Sequence, residues 1–287
     1  MSSLQDSISV LSGRDHWHTP AAAGISEIRM SDGPAGVRGT SWSGPRSAVF
    51  PCGSALGATF DPALIEEVGI ALGQQAQSKS AHVLLAPTVN LHRTPIGGRN
   101  FECMSEDPFL TGELAKAYIE GVQSQGVACC IKHFVGNDTE YQRMTISSEI
   151  DERTLREVYL LPFEMAVDQG VRAVMTGYNR LNGIFCSDHE WLISKVLREQ
   201  WGFEGVVISD WFGLHSTVEA INAGLDIEMP GPSRHRGELL EAAVTDGQVD
   251  LATIDASVER IRALAEWSQA SASDGSERSE DDAATRE

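Results

Sequence analysis

The sequence lacks the signatures of most cofactor chemistries. No Gly-x-Gly-x-x-Gly follows an apolar run, and no Walker lysine motif or Gly-x-Ser-x-Gly elbow occurs. Gly97-Gly98-Arg99 is too short for a phosphate loop, and His82, His92 and His133 do not have the spacing of a His-Glu-x-x-His helix pair. The five cysteines (Cys52, Cys103, Cys129, Cys130 and Cys186) contain no Cys-x-x-Cys, which disfavours a thiolate zinc site. Their odd number and scattered positions suit reduced thiols better than a disulfide framework. No cofactor and no metal are therefore expected. Positive charge is also scarce: 22 Lys and Arg stand against 41 Asp and Glu, a net charge of −19. Such a surface disfavours nucleic acid and anionic membranes as partners, and suits a neutral or cationic small ligand. No apolar run reaches the roughly 20 residues of a membrane span. Met1 to Asp6 has neither a basic n-region nor an apolar h-region, so a cytoplasmic location is expected.

What remains is an ordinary globular composition: 287 residues, 41% hydrophobic and 22% charged, enough for one large α/β domain or two small ones. From residue 61 a repeating order of helix and strand is legible. Asp61-Pro62 and Asp107-Pro108 read as N-caps with proline in the first turn, opening helices to about Lys79 and Gln125. Asp151 caps a third helix, to about Gln169. Later helices are expected at 188–200, 214–223, 235–246 and 251–267, and a short one at 4–12. Apolar runs at 25–30, 82–86, 127–131, 172–176, 205–211 and 225–229 read as buried strands. The Gly-, Ser- and Pro-rich stretch from Val37 to Cys52 has no clear period.

Strands alternating with crossovers long enough for helices require a parallel sheet. An open doubly wound sheet would gather its site at one switch point. Here polar residues follow nearly every strand, and the length is near the ~250 residues typical of a barrel. A TIM-like (β/α)8 barrel over residues 1–267 is therefore expected. Residues 268–287 are rich in Ser, Ala and acids. Six acids and two arginines after Gln269 carry −4, leaving −15 for the rest, and this tail is expected to be disordered.

With cofactors set aside, paired carboxylates become the leading chemistry. Gly205-Val-Val-Ile-Ser-Asp-Trp211 is the central stretch, an apolar strand ending in a carboxylate at the rim where such folds place their sites. A helix or turn cap is the competing reading of Asp210. Seven motifs in order then resemble the N-terminal domain of glycoside hydrolase family 3 β-glucosidases. They are Ser31-Asp-Gly-Pro-Ala-Gly36, Gly98-Arg-Asn-Phe-Glu102, Lys132-His-Phe134, Asp151-Glu-Arg-Thr-Leu-Arg156, Met175-Thr-Gly-Tyr-Asn179, Ser209-Asp-Trp211 and Ala223-Gly-Leu-Asp-Ile-Glu-Met-Pro230.

The resemblance runs from about Leu11 to Trp267 and implies a TIM-like barrel. It implies retaining hydrolysis of a terminal non-reducing β-D-glucosyl unit, with Asp210 as nucleophile. It also implies that Asp32, Arg99, Lys132 and His133 hold the sugar hydroxyls, with Met175 and Tyr178 beside the nucleophile and Trp211 at the sugar-binding wall. Arg143 is a weaker candidate for the same set. Asp138, Glu140 and Glu228 lie near motifs without an assigned role. Asp151, Glu152 and Arg153 read as a helix start. Charge-assisted hydrogen bonds suit hydroxyl recognition, and Lys132 and Arg99 are expected to keep Asp210 ionised.

A retaining enzyme also needs a carboxylic acid to protonate the leaving group. In two-domain relatives of this kind a second domain supplies it. In single-domain β-N-acetylhexosaminidases a His–Asp dyad follows a Lys-His-Phe-Pro-Gly segment. Here Val135 replaces that proline and no Asp-Ser-His follows. The expectation is a β-glucosidase barrel without its general acid, acting on a small β-glucoside or oligosaccharide. Its expected partner is a separately encoded C-terminal domain or a second copy of the chain. A non-catalytic sugar-binding remnant and a β-N-acetylhexosaminidase-like hydrolase are the alternatives.

Overall fold

A computed structural model describes residues 3–41, 43–269 and 275–279. Five strands form one parallel sheet: β1 (Met30–Asp32), β2 (Val83–Leu85), β3 (Ala128–Phe134), β5 (Ala173–Thr176) and β8 (Val206–Ile208), in the order β1-β2-β3-β5-β8. Every residue of β2, β3, β5 and β8 is buried, as expected of strands covered on both faces. Alternate residues enter two different cores. Val83, Leu85, Ala128, Cys130, Ala173, Met175, Val206 and Ile208 pack on one side, with the N-terminal segment and the last two helices. Leu84, Cys129, Ile131, Val174 and Val207 pack on the other, against the helices at 62–78 and 108–124.

The sheet curves into a wall that goes most of the way round. Beyond β8, Ile208 bridges Ile227 and Glu228 bridges Ser12, both in parallel. The chain returns to β1 through an antiparallel bridge of His18 to Arg29 and a 2.8 Å bond from the Met30 amide to the Trp17 carbonyl. The expected eight regular βα units are therefore corrected among the described residues. Five strands form ladders, and the segments at 11–13 and 226–229 join them by single bridges. Pro230 and Pro232 have no amide to extend a ladder. Asp15 turns the N-terminal segment by accepting from the Trp17 and His18 amides at 2.8 and 3.0 Å. The run at 25–30 enters the parallel sheet only at Met30.

The expected caps are present. Asp61 accepts from the Ala63 and Leu64 amides and Asp107 from those of Phe109 and Leu110. The helices they open, Pro62–Ser78 and Pro108–Ser124, approach closely because Gly69 and Gly121 face each other's backbone. A Cβ on Gly121 would lie 2.2 Å from the Glu66 carbonyl oxygen. The helix expected at 151–169 is broken into Glu152–Thr154, a wide turn at Leu155–Tyr159 and Leu161–Asp168. Pro162, without an N–H, stands at the restart. A small sheet absent from the sequence reading joins β4 (Ser147–Ser148), β6 (Arg180–Leu181) and β7 (Ile184–Phe185). Its signal was there: Asn182 and Gly183, with φ of 50° and 90°, make the two-residue turn that Asn-Gly favours.

The last helix runs Leu251–Gln269, past the boundary expected at 267. Residues 275–279, expected to be disordered, are seated on the barrel instead. The Arg278 amide donates to the Ser78 carbonyl and the Ser80 hydroxyl to the Ser276 carbonyl. The other tail residues, 270–274 and 280–287, lie outside the described residues. No helix among the described residues is long and apolar enough to cross a membrane.

Candidate active site

The parallel arrangement sends the carboxyl ends of the strands to one rim. Asp32 ends β1, Lys132 and His133 lie near the end of β3, and Met175 is the last residue but one of β5 with Tyr178 just beyond. Asp210 and Trp211 follow β8, and Arg99 reaches in from the loop after β2. All eight sequence-predicted residues line one cavity of about 210 Å³, and Arg143 joins them. His16, Trp17, Arg38 and Leu85 also line it and were missed. The polar-aromatic run at 13–18 hinted at the first two, and nothing in the sequence marked the others. Asp138, Glu140 and Glu228 do not line this cavity.

Lys132 Nζ donates to Asp32 Oδ1 at 2.8 Å. Burial works against the Lys132 charge, but Asp32, the charge on Glu102 and the Asp32 bond overcome it, and the ammonium pKa is raised. Burial likewise opposes the Asp32 carboxylate. The charge and bond of Lys132, the Gly33 amide and Arg38 outweigh it, and Asp32 falls below the usual range. Both groups are charged. The Asp32 side chain keeps 40% of its exposure against 5% for Lys132, so Asp32 is the more open of the two.

His133 is buried and neutral. Burial, with Arg99, Lys132 and Arg143 adding to it, pushes its pKa well below the ordinary value. Its tautomer follows from Asn90, which sequence reasoning also missed. Asn90 Nδ2 donates to the His133 carbonyl at 3.0 Å, so Asn90 Oδ1 is the acceptor for the His133 amide and for Nδ1–H at 2.8 and 3.0 Å. Nε2 is left as a lone pair, 3.5 Å from Asp210 Oδ2.

Asp210 is nearly enclosed. Oδ1 accepts the Trp211 amide at 2.7 Å, while Oδ2 is buried and accepts no well-formed hydrogen bond. Burial raises the Asp210 pKa. Lys132, the Trp211 amide, Tyr178 and Arg99 oppose it without cancelling it. Lys132 and Arg99 act in the direction expected of them, lowering the Asp210 pKa, but desolvation of the carboxylate is the larger effect. Burial and the neighbouring Asp210 charge also push the Tyr178 phenol up, keeping it a neutral donor.

Arg99 is both structural and exposed to the cavity. It holds Glu102 through two bonds, Nε to Oε1 and Nη2 to Oε2, the latter at 3.0 Å, and Thr88 adds a third to Glu102. Arg143 pairs with Glu140 at 2.9 Å and lies over the Tyr178 ring at 4.7 Å. An aromatic wall closes one side. Trp211 donates Nε1–H to the His16 carbonyl at 2.9 Å, and its ring stands 5.5 Å from Trp17. Arg38 covers Trp17 at 4.9 Å. Among the described residues no three His, Cys, Asp or Glu side chains are grouped as metal ligands. A second, larger cavity of about 720 Å³ lies on the far side of Asp32, Arg38 and Arg99, walled by the loop at 33–50.

A small cavity with charged donors and acceptors on its floor and indole rings at its side can hold a neutral, polyhydroxylated ring. This places the chain among α/β proteins with a carbohydrate-sized site at the strand ends of a barrel-like wall. Comparison with known proteins makes the assignment specific. Residues 36–264 match the family model described as the glycosyl hydrolase family 3 N-terminal domain, and the chain belongs to that family. It is 60% identical over 268 residues to a β-glucosidase of Rhizobium radiobacter, covering 92% of this chain and 33% of that protein. The crystal structure of a β-glucosidase from Kluyveromyces marxianus in complex with glucose superposes with a TM-score of 0.91 at 40% identity, covering 93% of this chain and 33% of that one. β-Glucosidase 3B of Thermotoga neapolitana, in complex with glycerol, superposes at 0.88 and 37% identity, covering 94% and 42%. The chain spans about a third of the length of the curated relatives it matches.

Proposed function

We propose that this chain carries the sugar-binding and nucleophilic half of a β-glucosidase that removes terminal non-reducing β-D-glucosyl units with retention. Asp210 is the nucleophile in this reading. Asp32, Arg99, Lys132 and His133 hold the glucosyl hydroxyls, Met175 and Tyr178 flank the nucleophile, and Trp211 forms the wall. The observation that supports it most is Asp210 Oδ2, a buried carboxylate oxygen on the cavity floor that accepts no well-formed hydrogen bond. A nucleophile must keep one oxygen uncommitted. A glucosyl hydroxyl donating to His133 Nε2 would also separate that lone pair from Asp210.

The proton donor is proposed to come from outside the described residues. It would belong to a C-terminal domain, separately encoded or part of a longer chain, or to a second copy. In support, the described cavity lining offers two carboxyls, Asp32 and Asp210, and Asp32 is bonded to Lys132. Without the acid a rate loss of roughly 10²–10⁴ is expected, smaller for aryl glycosides whose leaving groups need little protonation. The same observation supports a second reading, a sugar-binding protein without turnover. A cytoplasmic location goes with either reading.

Trapping with an activated 2-deoxy-2-fluoro-β-glucoside separates them. A covalent adduct on Asp210, seen by peptide mass mapping and absent in Asp210→Asn, supports the hydrolase. Glucose binding without any adduct leaves the binder.

A further inference from the structure

We propose that the segment at 275–279 is a working part of the site, with Glu277 as a positioning residue for Arg38. This deepens the reading above and rests on it.

The recess that takes Glu277 is built from the loop that follows Asp32. Glu277 Oε1 accepts from the Thr40 amide at 2.7 Å and from the Thr40 hydroxyl at 2.5 Å, and Arg29 Nη1 lies 3.9 Å away. Gly39, at φ +75°, makes the room. A Cβ there would stand 2.6 Å from Glu277 Oε2, and one on Gly44 would stand 3.1 Å from it. The Glu277 side chain is only 12% exposed. A second fastening lies next to it. Lys79 is fully buried, and its ammonium donates to the carbonyls of Pro45, Arg46 and Arg278 at 2.5, 3.2 and 2.9 Å. The loop is thus held at two places along its length, at Thr40 by Glu277 and at Pro45–Arg46 by Lys79, which also holds Arg278.

That loop carries Arg38. Its backbone is tied to β1 by bonds from the Arg38 amide to the Asp32 carbonyl at 3.0 Å and from the Gly39 amide to Ser31 Oγ at 2.8 Å. Its guanidinium covers Trp17 and lines the sugar cavity beside Asp32. Thr40 is two residues further on. Fixing its amide and hydroxyl therefore fixes how Arg38 is aimed, and a charge-assisted bond to a backbone amide is a strong anchor.

Limited trypsin digestion of the full chain tests the anchor without requiring activity, since Arg38 and Arg46 lie in the loop. Glu277→Ala is expected to speed cleavage there about tenfold, the change that follows loss of one charge-assisted bond. Glu277→Gln keeps the acceptor oxygen and should digest like the parent. Thr40→Val removes the hydroxyl from the other side and should move in the direction of Glu277→Ala, so the idea stays testable if one variant fails to fold. The positioning role is read separately, by glucose titration. Glu277→Ala should weaken binding about tenfold, with recovery in Glu277→Gln. Unchanged digestion overturns the anchor. Faster digestion with unchanged glucose affinity overturns the positioning role. If the parent chain binds no glucose, the reading of the site fails and the digestion result still decides the anchor.

Discussion

Lys132 Nζ and Asp32 Oδ1 are 2.8 Å apart, although a hundred residues separate them in the chain. The pair joins β1 to β3 across the mouth of the barrel and leaves Asp32 facing the cavity.

Asp32→Ala strips the counter-ion from a lysine that is 5% exposed. A buried charge left in this way costs several kcal/mol, and Glu102 recovers part of it by proximity. The expected loss is about 2–3 kcal/mol in urea unfolding, with glucose binding abolished. Asp32→Asn should lose less stability because the amide oxygen still accepts from Lys132. Equal stability of parent and alanine variant would show the pair to be energetically idle.

The rate of trapping at Asp210 should depend on pH. Its pKa is raised, chiefly by burial, so the protonated and non-nucleophilic form persists above the ordinary carboxyl range. The trapping rate should rise with pH through that elevated midpoint and then level off. Because the folded state holds this proton more tightly than the unfolded chain, the same group disfavours folding once the pH passes the ordinary carboxyl value. A trapping midpoint at or below that value contradicts the assignment of burial as the dominant effect.

Asp138 is a cleaner probe of linkage. Burial pushes its carboxyl up to about 6, opposed by the Leu91 amide, which donates to Oδ1 at 2.9 Å, and by Arg93. Its folded pKa lies above its unfolded one. Its contribution is therefore intact below the unfolded pKa of about 4 and is lost as pH rises to about 6. Asp138→Asn keeps an acceptor for Leu91 and removes the ionisation. The variant should gain on the parent across that window, reaching about 3 kcal/mol at pH 7 in paired urea titrations. A difference that does not vary with pH would remove the linkage.

Asp226 holds the last helix to the sheet. It is fully buried. Oδ2 accepts from Arg198 and the Val207 amide, and Oδ1 from Ser257 and Arg260. Asp226→Ala leaves two guanidiniums and an amide facing a void. The expected loss is about 3–5 kcal/mol, seen as a sharp fall in Tm. Asp226→Asn should be milder but still damaging, because an amide cannot accept at every position. A change below about 1 kcal/mol in the alanine variant would show that water replaces the carboxylate.

Much of the site was legible because its chemistry sits in short local motifs at strand ends. Asp210 after Val206–Ile208, Lys132-His133 after Ala128–Ile131 and Tyr178 after Ala173–Thr176 each follow a short apolar run that reads as a buried strand. Parallel pairing then brings their ends to one rim. The caps at Asp61 and Asp107 were legible for the same reason, since side chain and amide lie within three residues. Arg38 and Asn90 were not legible. Arg38 lies in a stretch without period, and its place depends on Glu277, far away in sequence. Asn90 acts by fixing a tautomer on a strand two ladders from β1.

The sequence by itself determined the alternation of helix and strand, the family resemblance and the identity of the charged groups at the rim. Local hydrogen bonds and apolar periodicity specify the alternation, and short motifs in order along the chain carry the resemblance and the rim groups. Only the tertiary structure decided how the wall closes, by single bridges and an antiparallel return in place of eight regular units. It alone decided that the segment at 275–279 is seated against the loop after Asp32. It also decided the direction of the pKa shifts on the cavity floor, where burial outweighs Lys132 and Arg99 at Asp210 but loses to Lys132 at Asp32. Those outcomes depend on desolvation and on distances between residues remote in sequence, which are set when the chain packs.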